Sequence, residues 1–193
     1  TLSNRASGRT GRAVARACHV LGADVTVVHD GPELPYATVH RAESAAEMTA
    51  AVAAVADEAD ALVSAAAISD YTLTEADEKI RSGQERLTLE LEPTPKLLDA
   101  VRADHPDLPI VGFKVESSGD DASLVARARE LRERVDLAFV VANDASVMGA
   151  AGTRALLVGP DDQREYTGDK QGLGLAVAEK LAGELGEQSP GAE

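Results

Sequence analysis

Short apolar runs alternate with helical stretches along most of this chain. That alternation restricts the fold more than any other feature. Ala23–Val28, Thr38–Arg41, Asp60–Ala66, Leu108–Phe113 and Val135–Ala142 read as short strands. Thr10–Leu21 reads as a helix with Ala13, Val14, Ala17 and Leu21 on one face, and Gly22 ends it. Ala45–Ala59, Pro95–Ala103, Asp121–Arg134 and Leu173–Leu185 read as further helices. Ser44 and Glu47 form a capping box before the second, and Thr94 caps the third, with Pro95 in its first turn. Such alternation builds a mostly parallel sheet covered by helices on both faces, an α/β three-layer sandwich. Ligands of these sheets bind beyond the carboxyl ends of the strands. The loops after Val28, Ala66, Phe113 and Ala142 are therefore where a site is expected.

Two segments depart from the alternation. Ile68–Leu91 is a polar excursion, with a hairpin expected where Leu87, Leu89 and Leu91 alternate with Thr88 and Glu90. Arg154–Val158 and Arg164–Thr167 form a second hairpin around Gly159–Asp162. Aromatic residues are nearly absent, so Ala, Val and Leu must fill the core. The formal net charge is −14, which disfavours non-specific nucleic-acid binding. Excess acid with only five lysines reads as a halophile's cytoplasmic protein, with an ordinary acidic bacterial protein as the alternative. No window is apolar enough to span a bilayer, so a cytoplasmic protein without a membrane partner is expected. One cysteine, Cys18, excludes an internal disulfide and a cysteine-based zinc site. His19, His29, His40 and His105 are scattered and read as structural.

Several segments carry residues suited to an anionic ligand. Asn4–Gly11 is a small-residue loop entering a helix, with Arg5, Arg9 and Arg12 in or beside it. Its backbone N–H groups can meet a phosphate, or it can be an ordinary helix start. Ser64-Ala65-Ala66 ends a strand with small side chains and leads to Asp70, which can serve a ribose hydroxyl, a metal ion or only solvent. Lys79 in Glu78–Arg81 can reach phosphate oxygens or pair with Glu78 at the surface. Phe113 can stack on a base or pack in the core. Asn143 and Asp144 end the next strand at the same edge, where they can bind or form a turn.

Seven segments, in order, resemble the phosphopantothenate–cysteine ligases of coenzyme A biosynthesis. They are Ser3–Gly8, Gly22–Val27, Ala66–Tyr71, Glu78–Arg81, Thr94-Pro95, Val111–Phe113 and Val141–Asp144. The resemblance implies a Rossmann-like fold with hairpin extensions. It implies a two-step reaction: 4′-phosphopantothenate attacks CTP to give an acyl-cytidylate, and cysteine then displaces CMP. By position, Asn4 is similar to the residue that holds the acyl-cytidylate, and Lys79 to the catalytic triphosphate lysine. Ser64, Ala65, Ala66, Asp70, Thr94, Pro95, Lys96, Leu97, Phe113 and Arg129 would bind the nucleotide. Ser7, Gly8, Arg9, Asn143 and Asp144 would bind phosphate or substrate. Asp70 would also serve Mg²⁺. Arg129 replaces a family lysine, and Glu133 falls near a second one. Lys114 stands where the family has small residues, and can be an added phosphate contact or a halophile's surface lysine.

The resemblance also implies a ligase domain over residues 1–185, with a flexible tail over 186–193. The family domain begins earlier, with a strand and a Gly-Gly-Thr loop, so its first strand is expected to be missing here. A homodimer is implied, with Thr72–Leu91 and Arg154–Thr167 as arms, as is a fused or associated phosphopantothenoylcysteine decarboxylase domain, to which any FMN would belong. Two other readings fit the same sheet: an NAD(P)-dependent reductase, which lacks its glycine fingerprint here, and a non-catalytic nucleotide-binding domain.

Overall fold

A computed structural model describes residues 6–73, 86, 88–116, 120–144 and 152–188. In chain order the elements are α1 (Arg9–Val20), β1 (Thr26–His29), β2 (Thr38–Arg41), α2 (Ala45–Ala56), β3 (Leu62–Ser64), β4 (Tyr71–Leu73) and β5 (Leu91–Pro93). There follow α3 (Leu97–Asp104), β6 (Ile110–Glu116), α4 (Asp121–Val135), β7 (Phe139–Asp144), β8 (Thr153–Val158), β9 (Gln163–Gly168) and α5 (Lys170–Gln188).

The main sheet has five strands in the order β3-β6-β7-β8-β9. The first three are parallel, and the β8–β9 hairpin closes the sheet with two antiparallel pairs. β1 and β2 form a separate parallel pair, and β4 and β5 an antiparallel one. Side chains leave the main sheet alternately to two apolar layers, as the strand period requires. Ile110, Val140, Ala142, Leu156 and Val158 meet Val52 of α2, Leu97 and Val101 of α3, and Leu124, Val125 and Ala128 of α4. Val111, Phe139, Val141, Ala155 and Leu157 meet Val14 of α1 and Leu173, Val177 and Leu181 of α5. The helices therefore cover both faces, as the alternation predicts.

Arg102 fastens the base of this core. Its guanidinium donates to the carbonyls of His105, Pro106, Leu108, Val135 and Asp136, joining the end of α3 to the turn after α4. Asp136 takes the left-handed conformation (φ 56°) and ends α4.

The structure moves several expected boundaries. Val135 is the last residue of α4 rather than the first of a strand, because the Asp136 turn intervenes before β7. Leu21 lies just beyond α1 and is exposed; Ala13, Val14, Ala15 and Ala17 form the buried face. The helix expected from Pro95 begins at Leu97, with Lys96 rather than Thr94 at its N-cap. Thr94 lies two residues before that N-cap, and its N–H donates to the Asp70 carbonyl at 2.9 Å, continuing the β4–β5 ladder. Leu91 pairs with Leu73 across that ladder, while Leu87 lies outside the described residues. The Ser44–Glu47 capping box forms as predicted.

Candidate active site at the carboxyl edge of the sheet

The first wall of the site is the start of α1. Gly8 sits at its N-cap with φ 62°, and no side chain caps the helix. The first turn holds no acid, so no carboxylate offsets the positive dipole end of the helix. Ser7 Oγ accepts from the Arg9 N–H at 3.4 Å, and Arg12 Nη2 donates to the Ser7 carbonyl at 3.0 Å. The loop is thus shaped to attract an anion. It lies beside the end of β3: a Cβ placed on Gly11 would stand 3.6 Å from the Cβ of Ala65.

Ser64 is the last residue of β3 and pairs with Gly112 of β6; Ala65 is half-buried and Ala66 exposed. The chain then reaches Asp70, whose carboxylate forms an ion pair with the Lys96 ammonium. The Lys96 hydrogen bond holds the Asp70 carboxyl below the ordinary range, helped by the charges of Lys96 and then Lys114. Lys96 opens α3 without a side-chain cap, and the acid in that turn, Asp99, is occupied by Arg134 at 2.7 and 2.8 Å.

β6 runs beyond the last residue of β3, so Phe113 to Glu116 project past their neighbour on that side. Phe113 is half-buried against the α1–α5 layer. Lys114 and Glu116 leave the opposite face, where Glu116 accepts from Lys114 Nζ at 3.1 Å and from Arg127 Nη1 at 2.9 Å. Both partners hold the Glu116 carboxyl below its usual range, the Lys114 hydrogen bond most strongly. Asn143 stands opposite Val115, and Asp144 opposite Glu116, on β7.

Among the described residues, three buried side-chain atoms have no hydrogen-bond partner: His29 Nε2, Thr94 Oγ1 and Asn143 Oδ1. Buried polar atoms are normally satisfied. His29 ends β1, Asn143 is near the end of β7, and Thr94 leads into α3. His29 and Asn143 therefore stand toward the carboxyl ends of parallel strands, where a ligand of an α/β sheet is expected, while Thr94 follows the separate β4–β5 pair.

The sheet brings Ser7, Gly8, Arg9, Ser64, Ala65, Ala66, Asp70, Thr94–Leu97, Phe113 and Asn143 to this edge. Arg129 is exposed on α4. Asn4 and Lys79 lie outside the described residues, as does the Asp144 side chain. Sequence reasoning passed over His29, read as structural, and the shared grip of Lys114 and Arg127 on Glu116. The Lys-x-Glu spacing on one strand face was a signal for the Lys114–Glu116 half of that grip. Among the described residues no three His, Cys, Asp or Glu side chains gather to hold a metal, so Asp70 stands as a lone carboxylate. Among them, too, no helix is long and apolar enough to cross a membrane.

Known proteins with this sequence pattern bear on the site. The family model described as the DNA/pantothenate metabolism flavoprotein C-terminal domain matches residues 1–185. The chain belongs to this family. The coenzyme A biosynthesis bifunctional protein CoaBC of Thermococcus kodakarensis is 36% identical over 165 residues, covering 83% of this chain and 41% of that protein. CoaBC of Methanocaldococcus jannaschii is 32% identical over 184 residues, 93% of this chain and 45% of that protein. The chain thus spans less than half the length of these relatives. Among solved structures, the DNA/pantothenate metabolism flavoprotein of Streptococcus pneumoniae superposes with a TM-score of 0.84 at 19% identity, covering 95% of this chain and 91% of that one. The C-terminal domain of a CoaBC superposes with a TM-score of 0.78 at 21% identity, covering 96% and 87%. These two likenesses establish the Rossmann-like α/β fold for this member of the CoaBC C-terminal domain family.

Proposed function

We propose that this domain joins 4′-phosphopantothenate to L-cysteine at the expense of CTP, within coenzyme A biosynthesis. The observation that carries this reading is the pair of buried, unpartnered oxygens, Thr94 Oγ1 and Asn143 Oδ1, in two segments that match the ligase motifs. The open start of α1, beside Ala65 at the end of β3, is a second element suited to phosphate.

The chemistry is acyl activation. A carboxylate resists attack by an amine, so its oxygen first attacks the α-phosphorus of CTP and pyrophosphate leaves. The cysteine nitrogen then attacks the acyl carbon of the acyl-cytidylate. The bond from that carbon to the phosphate oxygen breaks, CMP departs and the amine proton passes to solvent. Three anionic groups meet in the first step, so cationic neutralisation is the main requirement. Lys79 and Arg129 supply it for the phosphates in this reading, with Lys96 beside Asp70. Ser7, Gly8 and Arg9 hold the substrate phosphate. Ser64–Ala66 present backbone to the nucleotide, Pro95 and Leu97 line its pocket and Phe113 packs beside it. Asn4 holds the mixed anhydride, and Asn143 and Asp144 contact substrate. A lone carboxylate suits Mg²⁺ carried in on the nucleotide phosphates, with Asp70 as its protein ligand; the ion would neutralise phosphate charge.

The domain boundary at residue 185 belongs to the same proposal. β1 pairs only with β2, and β3 only with β6, among the described residues, while Val28 and Leu62 pack on one apolar cluster. A homodimer built on the β4–β5 and β8–β9 arms, a decarboxylase domain in the same polypeptide and a cytoplasmic setting complete the reading. The test is product analysis on the full-length protein at molar salt with Mg²⁺. Phosphopantothenoylcysteine formed with CTP supports the assignment. Its formation with ATP alone replaces the nucleotide, and its absence with both rejects the ligase.

A further inference from the structure

The charges at the end of β6 point to a residue role that the ligase motifs leave unassigned. Among the described side chains, Lys114 and Arg127 hold Glu116 and Lys96 holds Asp70, three cations to two carboxylates, in a chain whose formal net charge is −14. An excess of cations at the carboxyl edge of so acidic a protein selects an anion. Lys114 is the cation of this group on β6, the strand between β3 and β7. Its backbone stands opposite Ala142 on one side, while β3 has already ended on the other. Its side chain remains 38% exposed.

We propose that Lys114 binds the phosphate tail of the nucleotide, exchanging Glu116 for a phosphate oxygen when the nucleotide arrives. The exchange is energetically open. A lysine–carboxylate pair two residues apart at a strand end, partly in water, contributes little. Glu116 is only 17% exposed, yet it is not stranded when Lys114 leaves, because Arg127 still donates to it at 2.9 Å. A lysine is a mobile point charge on a flexible stem, suited to swing between two anions, whereas the planar Arg127 fork is better suited to stay. Glu116 thus acts as a placeholder that keeps Lys114 extended along the edge in the empty protein.

This inference rests on the nucleotide reading above, and its test separates the two. Calorimetric titration of the full-length protein with CTP and with CMP, in Mg²⁺, compares the wild type with Lys114→Met, Lys114→Arg and Glu116→Gln. Lys114→Met is expected to weaken CTP about tenfold, the scale of one charge-assisted hydrogen bond, and CMP by less than about twofold. Lys114→Arg should recover most of the loss. Glu116→Gln should bind CTP more tightly than the wild type, because the competing carboxylate is gone. Equal losses for CTP and CMP, no loss for either, or weaker CTP binding by Glu116→Gln would each overturn the role of Lys114 while leaving the ligase intact. A wild type that binds no nucleoside triphosphate would overturn the nucleotide reading and this inference with it. If Lys114→Met does not fold, the Lys114→Arg and Glu116→Gln titrations decide alone.

Discussion

Gly174 of α5 and Ala13 of α1 pack backbone against backbone. A Cβ on Gly174 would lie 2.5 Å from the Ala13 carbonyl carbon and 2.6 Å from its oxygen. No side chain can yield there, so the helices must part. Gly174→Ala is expected to cost about 1–3 kcal/mol through overpacking. Because α1 carries Ser7, Gly8 and Arg9 at its start, the same change should weaken binding of 4′-phosphopantothenate. Thermal unfolding and substrate titration check both; an unchanged melting temperature would mean that α1 is not seated by this contact.

Arg102 makes a second structural prediction. One guanidinium serves five carbonyls, and an ammonium cannot reproduce that fork. Arg102→Lys should therefore destabilise the fold by about 2 kcal/mol and Arg102→Met by at least as much. KM values should stay unchanged, since Arg102 lies away from the carboxyl edge. Denaturant melts together with steady-state kinetics separate this outcome from a functional one.

These two examples mark what the sequence makes legible. The alternation of Val and Leu runs with alanine-rich helices was enough to fix the layers, because burial on both faces follows directly from local pattern. Ser44 and Glu47 cap α2 as read, since a capping box uses only near neighbours. Thr94 is not the cap because α3 starts only at Leu97, which puts the N-cap at Lys96, two residues past Thr94, while Thr94 itself continues the β4–β5 ladder to Asp70. Val135 was assigned to a strand because an apolar residue at a helix end looks like the start of the next apolar run. At the site, the edge was legible from strand order, but the Glu116–Arg127 contact joins a strand to a helix, and no spacing rule encodes it.

Arg154 ties the β8–β9 hairpin to the start of α4 through Asp121 and Glu165, at 2.6 and 2.7 Å. Its hydrogen bonds hold both carboxyls below their ordinary ranges. In the unfolded chain these acids titrate near about 4, so the stabilisation is fully present above that value and fades as pH falls through the lower folded values. The melting-temperature gap between wild type and Arg154→Met should be widest near neutrality and should close in acid. It should also shrink in high salt, because the network is exposed. A gap independent of pH would contradict this reading.

Asp70 and Lys96 should matter to chemistry more than to stability. Their pair is solvent-exposed, so Asp70→Asn should shift unfolding by no more than about 1 kcal/mol. If Asp70 serves the nucleotide and its Mg²⁺, turnover should fall about tenfold or more. Parallel melts and initial rates give the answer. A large loss of stability with normal specific activity would make the pair a structural staple instead.

The central claim is acyl activation by a nucleotide at this strand edge. The most direct measurement is single-turnover pyrophosphate release by the full-length protein with 4′-phosphopantothenate, CTP and Mg²⁺, with cysteine withheld. The account predicts pyrophosphate release up to one equivalent per active site, with amide and CMP appearing only when cysteine is then added. Pyrophosphate release that needs no 4′-phosphopantothenate, or none with any nucleotide by a folded protein, would contradict it.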